Sequence, residues 1–194
     1  MHLTLSSATV RTFRLEDAPS LARHGDHVEV WRRMLDAFPR PFTVECARNI
    51  IAETLSAPIE LAWAIEHQGE VIGRVSLTPL TDVERVGAEI GIWLGWEIRS
   101  KGVATEVTKA ISRHALTTLG FLRVSAHTFA WNDEAARVLE KSGFRLEGRM
   151  RQAAVKEGRV CDVLLFGKVQ SDLRASEADV SAAREVGPAD RSVS

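Results

Sequence analysis

The segment Glu89–Thr105, EIGIWLGWEIRSKGVAT, decides how the rest of the chain is read. Val86–Leu94 has the alternation of a strand, Trp96-Glu97-Ile98 is a short turn, and a helical pattern runs from Gly102 to Leu119. Between them lies Arg99-Ser100-Lys101-Gly102-Val103-Ala104-Thr105. Gly102 and Ala104 keep Cβ bulk low where the backbone turns, so successive N–H groups can converge on one anion. The helix N-terminus adds the positive end of its macrodipole. Arg99 and Lys101 add formal charge. A pyrophosphate suits this arrangement. The loop is not of the Walker type, because no Gly-Lys-Ser/Thr closes it.

On the N-terminal side, Ala8–Arg14 alternates as a strand, and a helical pattern with an acidic first turn and an early proline runs from Leu15 to about Leu35. Phe38-Pro39-Arg40-Pro41-Phe42 is a rigid loop, since its prolines remove backbone donors and hold their predecessors extended. Thr43 caps a helix whose apolar face carries Ile50, Ile51 and Leu55. Strands follow at residues 60–66 and 71–80, joined at Gln68-Gly69-Glu70, with residues 86–94 continuing the antiparallel meander. On the C-terminal side a strand is predicted at Leu122–Ala130, a helix from Asn132 to Lys141 closed by Gly143, and a hairpin of residues 144–155 and 160–169. The apolar pattern stops at Val169. Residues 1–169 are therefore expected to form a single mixed α/β domain and residues 170–194 a flexible polar tail.

The 194 residues carry 25 basic and 26 acidic side chains, a net charge of -1, so no global positive field favours nucleic acid or an anionic membrane. No targeting peptide or 18-residue apolar run is visible, which predicts a cytoplasmic protein with no membrane partner. Cys46 and Cys161 are isolated and read as buried reduced thiols. No metal site is expected. His24 and His27 lack further ligands nearby, and His114 and His127 read as structural imidazoles. Trp31 and Trp63 read as core. Trp131, at a strand end before Asn132, reads either as core or as the wall of a cleft. The chain contains no Tyr, which excludes a phenolic proton donor.

Five stretches in this order resemble the GNAT N-acetyltransferases, in particular the RimJ/RimL-type protein N-terminal acetyltransferases. They are Phe38–Thr43, Glu89–Leu94, Arg99–Thr105, Asn132 with Val138–Phe144, and a closing hairpin with Gly148-Arg149, Gly158-Arg159 and Asp162–Leu165. The resemblance spans residues 9–169. It implies the GNAT acyl-CoA N-acyltransferase fold, an α/β (α+β) domain whose mixed, mostly antiparallel sheet is flanked by helices and opens as a V between its fourth and fifth strands. It also implies acetyl-CoA as cosubstrate. The pantetheine arm would pair with the backbone of Trp93 and Leu94. Arg99 would add charge at the pyrophosphate, Lys101, Gly102, Val103, Ala104 and Thr105 would offer it amides, and Asn132 would anchor the arm from the opposite wall.

The expected reaction is acetyl transfer to a primary amine by direct attack in a ternary complex. The acceptor implied is the N-terminal α-amine of a protein or peptide. The same scaffold accepts small-molecule amines, and an open groove lined by acidic groups would separate the first from the second. Alternation places Glu89, Gly91 and Trp93 on one face and Ala88, Ile90 and Ile92 on the other, so Glu89 stands apart from the apolar row. It is the candidate base. Ala135 occupies the place of the family's motif serine. With no Tyr present, Ser142 and Thr105 are the remaining candidate acids for the CoA thiolate. Without a donor, a thiol of pKa ~8.5 leaves tolerably and water reprotonates it. The same departures fit a non-catalytic acyl-CoA-binding or sensing module. A general nucleotide-binding domain fits less well, since the sequence lacks repeated βαβ alternation. Pairing of two subunits is compatible with the fold.

Overall fold

The structure, a computed structural model, describes residues 1–57, 59 and 61–173. Its strands are β1 (His2–Thr4), β2 (Thr9–Arg11), β3 (Ala62–His67), β4 (Glu70–Pro79), β5 (Gly87–Leu94), β6 (Arg123–Phe129), β7 (Arg145–Lys156) and β8 (Arg159–Val169). They form one sheet in the order β1-β2-β3-β4-β5-β6-β8-β7. Every neighbouring pair is antiparallel except β5 and β6. A parallel neighbour cannot be reached by a tight turn, and the crossover is supplied by α4 (Val103–Thr117).

The splay lies between the fifth and sixth strands of the chain. The difference from the expected numbering is β1, whose three residues are too few to display alternation; it pairs with β2 through the Ser6-Ser7 turn. Both amides and both hydroxyls of that turn donate to the Glu106 carboxylate on α4. Burial raises the pKa of this carboxyl, but the four donors outweigh it and hold the group at about 2.

Each face of the sheet buries its own apolar cluster. On one, α4 and α5 (Asp133–Lys141) pack over Val75, Ile90, Val124 and Phe166. Val103, Val107, Ile111 and Ala115 recur every four residues along α4 and form its inward stripe. On the other, α1 (Ala18–Gly25) and α3 (Val44–Ser56) pack with Phe13, Phe42 and Trp93. Thr43 caps α3 as expected, its hydroxyl accepting from the Cys46 amide at 3.2 Å.

The single helix expected as far as Leu35 is broken at Asp26-His27 into α1 and α2 (Val28–Arg33). A Cβ on Gly25 would stand 2.7 Å from the Phe42 ring, and the Asp26 carboxylate accepts from the Phe42 amide. Helical periodicity alone does not reveal this tertiary contact. Both cysteines are half-buried rather than buried. Trp63 is core, but Trp31 is half-buried and carries Lys156 Nζ 3.8 Å and Arg40 Cζ 4.9 Å from its ring centroid.

Packing extends past Val169. Gln170–Leu173 form a helical turn in which the Gln170 side-chain Nε2 donates to Leu116 O and the Asp172 carboxylate accepts from the Val169 backbone amide. Residues 174–194, the bulk of the expected tail, and Glu60, the expected start of a strand, lie outside the described residues. No helix of the described residues is long and apolar enough to cross a membrane.

Candidate active site

The β5–β6 ladder contains only Gly87, Ala88 and Glu89 opposite Arg123, Val124 and Ser125. From Ile90 to Leu94, β5 is paired with β4 alone. The strands diverge there, so a cleft opens from an apex at Glu89 toward a wide end past Leu94. At ~3.3 Å per residue this wall is roughly 17 Å long. Its free backbone edge can hydrogen-bond an extended amide-bearing chain as a further strand would.

The wide end leads into the 3₁₀ turn Trp96–Ile98 and the loop before α4. Ser100 and Gly102 are left-handed, at φ 62° and 80°. The first intrahelical bond runs from the Glu106 amide to Gly102 O, so the amides of Val103, Ala104 and Thr105 precede it. Gly102, the N-cap, has no side chain to cover them, and a Cβ there would meet no atom within 4 Å. Amides ahead of the first intrahelical bond, a helix dipole and open space at Gly102 are what an anion of pyrophosphate size requires.

Of the two predicted cations, Lys101 is exposed beside this turn. The Arg99 guanidinium lies 3.6 Å from the Trp96 ring centroid and pairs with Glu134 on α5, bridging the wide end. Arg33 packs on the same indole at 4.7 Å, and His27 stacks on it. Burial and the neighbouring charge of Arg33 lower the Arg99 pKa from its ordinary value.

Asn132 is buried and caps α5, its side-chain carbonyl accepting from the Ala135 amide. Its carboxamide N–H₂ is the group left to face a ligand. Trp131 is 45% exposed and stacks on Phe129, so it is not part of the core.

Ser142 fails as a candidate acid. It is 1% exposed, and its hydroxyl faces Val138 O at 2.7 Å and Thr105 O at 3.1 Å. Its carbonyl accepts from Lys168 Nζ at 2.7 Å, which links the buried end of β8 to the first turn of α4. Thr105 is half-buried in that turn.

At the apex, alternation along β5 holds as expected, but the face bearing Glu89 is apolar at its other end. Trp93 is buried there, edge-on to the stacked rings of Phe38 and Phe42. Glu89 keeps 41% of its side chain exposed, and its Oε1 lies 3.0 Å from His127 Nδ1. A carboxylate only accepts, so Nδ1 is the donor of this bond. His127 is therefore not the isolated structural imidazole expected. The register Glu89↔Ser125 puts it one step past the last β5–β6 pair, on the same face as Glu89. The sequence signal available was the alternation Ser125, His127, Phe129, which is informative only once that register is known.

The geometry thus brings together a turn of amides ahead of the first helical bond, a strand edge unpaired beyond Glu89 and a carboxylate–imidazole pair. Residues 8–145 match the acetyltransferase (GNAT) domain family. The chain is 29% identical to the uncharacterized N-acetyltransferase p20 of Bacillus licheniformis, over 84% of this chain and 93% of that protein. It is 25% identical to the ribosomal-protein-serine acetyltransferase of Escherichia coli, over 55% of this chain and 59% of that one. Its fold superposes on Mycobacterium smegmatis RimJ in complex with CoA-disulfide with a TM-score of 0.77 at 23% identity, covering 91% of this chain and 90% of that one.

Proposed function

The chain belongs to the GNAT acetyltransferases, N-acetyltransferases that take acetyl-CoA as cosubstrate, and from that premise we propose that it acetylates the N-terminal α-amine of a protein or peptide in the cytoplasm. The observation that carries the reading is the end of the β5–β6 ladder at Glu89, which puts the Glu89–His127 pair where a thioester lying along β5 would end. The cosubstrate supplies the acetyl carbonyl. Lys101 and the amides of Val103, Ala104 and Thr105 hold its pyrophosphate, with Arg99 adding charge. The backbone of Trp93 and Leu94 and the carboxamide of Asn132 hold the arm. Glu89 takes the proton from the attacking ammonium, which must be neutral to reach the carbonyl. Gly91, between Glu89 and Trp93, leaves the strand uncovered at this point: a Cβ there would meet only Ser76 Oγ, at 3.5 Å. With Ser142 committed to carbonyls and no Tyr in the chain, the Thr105 hydroxyl or water reprotonates the thiolate.

An acceptor larger than a small amine is supported by the cleft beside Trp93, whose rim residues Glu53, Ala57 and Thr78 are exposed. The ribosomal-protein substrate in the name of the Escherichia coli relative supports the same class. The test is thiol release from acetyl-CoA across a panel of peptides and small amines. Release with free peptide N-termini and none with their blocked counterparts is expected. Release with small amines alone overturns the peptide reading.

A further inference from the structure

Two arginines on adjacent parts of the sheet are treated oppositely by the fold. Arg11 on β2 is 7% exposed and fully partnered: NH1 and NH2 each reach the Asp17 carboxylate at 2.8 Å, and Nε reaches Glu66 at 2.6 Å. Arg74 on β4 is half-buried, its Nε is enclosed without a hydrogen-bond partner, and no ion pair to it exists among the described residues. A guanidinium partly withdrawn from water, with its Nε enclosed and no counter-ion, costs stability.

Its location supplies a reason for that cost. In the β4–β5 ladder Arg74 pairs with Trp93, Ser76 with Gly91 and Thr78 with Glu89, so Thr78, Ser76 and Arg74 form a row beside the row that carries the apex. That row floors a cleft of about 500 Å³, walled by Trp93, Phe38 and Ile50. Among the described residues the one carboxylate lining it is Glu53 on α3, which is exposed and makes no ion pair with any of them. Burial lowers the Arg74 pKa from its ordinary value, with Glu53 acting in the opposite sense. From Thr78, opposite Glu89, to Arg74 is four strand positions, or roughly 13 Å, a distance spanned by the first few residues of an extended peptide.

We propose that Arg74 is the specificity determinant of the acceptor site, selecting amines that carry a carboxylate within the first four residues of the acetylated end. The inference rests on the acetyl-transfer reading of the same cleft. An acceptor whose amine lies at Glu89 and whose acidic side chain lies over Ser76 supplies the counter-ion that the fold withholds. The guanidinium fork receives it through two parallel N–H donors, with the hydroxyls of Ser76 and Thr78 beside the path.

The test uses C-terminally amidated tetrapeptides in which the second, third or fourth residue is Glu or Gln, so the side-chain carboxylate is the only one present. A parallel arm uses small ω-amino carboxylates and their amides. Acceptor binding is measured by calorimetry with CoA present, and turnover by thiol release. We expect the best Glu peptide to bind roughly 10- to 100-fold more tightly than its Gln twin. The preference should fall below about threefold in Arg74→Gln and largely return in Arg74→Lys. Equal binding of the twins by the native chain, or a preference that survives Arg74→Gln in a folded variant, overturns the proposal. Carboxylate selection confined to the ω-amino acids overturns its peptide form. Loss of all thiol release with the binding preference intact counts against the acetyl-transfer reading and leaves the carboxylate site standing.

Discussion

The two ends of the cleft are built by different means. At the wide end the groups proposed to meet the ligand are backbone: the amides of Val103, Ala104 and Thr105, which follow left-handed Ser100 and Gly102. At the apex they are side chains, Glu89 from one strand and His127 from another, brought within 3.0 Å by the register of a three-residue parallel ladder. A backbone site tolerates many side chains but depends on one conformation. A side-chain site tolerates conformational give but depends on particular functional groups. Substitutions at the two ends should therefore fail in different kinetic terms.

The largest effect is expected at the apex. Glu89→Gln keeps the size of the side chain and removes the base, so kcat at neutral pH should fall by roughly 10²- to 10⁴-fold while acetyl-CoA affinity stays within about twofold. Unchanged turnover in the folded variant removes Glu89 from the mechanism. At the wide end the pattern reverses. Gly102→Glu forces a Cβ into the left-handed region, at about 1–2 kcal/mol, and points a carboxylate at the anion site, so acetyl-CoA binding by calorimetry should weaken about 100-fold. Gly102→Ala, which carries the strain without the charge, should lose about tenfold, and near-native affinity in both variants would contradict a backbone site.

His127→Gln separates two divisions of labour at the apex. If Glu89 is the base, Gln still donates to it and kcat drops only about tenfold, the scale of one charge-assisted hydrogen bond. A loss as large as that of Glu89→Gln would instead make Nε2 of His127 the base and Glu89 its positioning carboxylate. Moving the lower limb of the pH–rate profile in His127→Gln is the second readout, since a merely structural imidazole would not shift it.

The same contrast explains what could be read from the chain. The wide end is contiguous, so Arg99, Lys101, Gly102 and the amides that follow fall at fixed offsets within seven residues, and helix and strand signals on either side give the context. The apex joins positions 38 residues apart, and nothing in Val124–Phe129 announces that its fourth residue, His127, faces Glu89. Arg74 is hidden for the same reason: its meaning lies in an absent partner, visible only when every neighbour is placed. Ser142 misled in the opposite direction. A hydroxyl beside the Gly143-Phe144 turn suggests a donor, yet the closing turn of α5 buries it against the Val138 and Thr105 carbonyls. The broken first helix was likewise decided by the Phe42 ring at Gly25, a contact across 17 residues.

Behind the wide end sits a group whose effect is smallest on activity and most specific in its pH dependence. Lys168 on β8 is 3% exposed and donates to Ser112 Oγ and Ser142 O, so it braces the end of α5 against α4. Burial, together with the charges of Lys109 and Arg113 and against that of Asp172, lowers its pKa to about 8. An unfolded lysine titrates near ~10.4. The folded state therefore resists the ammonium form: the cost to stability is fully present below about pH 8 and is relieved as the pH rises toward ~10.4. Native chain should gain stability on the order of 1–3 kcal/mol across that interval relative to Lys168→Met, which has no proton to release there. Denaturant unfolding at several pH values between 7 and 10.5 measures the difference. Parallel curves for the two chains would show that Lys168 is as easily charged inside the fold as outside it. Because the brace reaches Thr105 only through Ser142, acetyl-CoA affinity in Lys168→Met should change by no more than about threefold, against the hundredfold expected when Gly102 itself is altered.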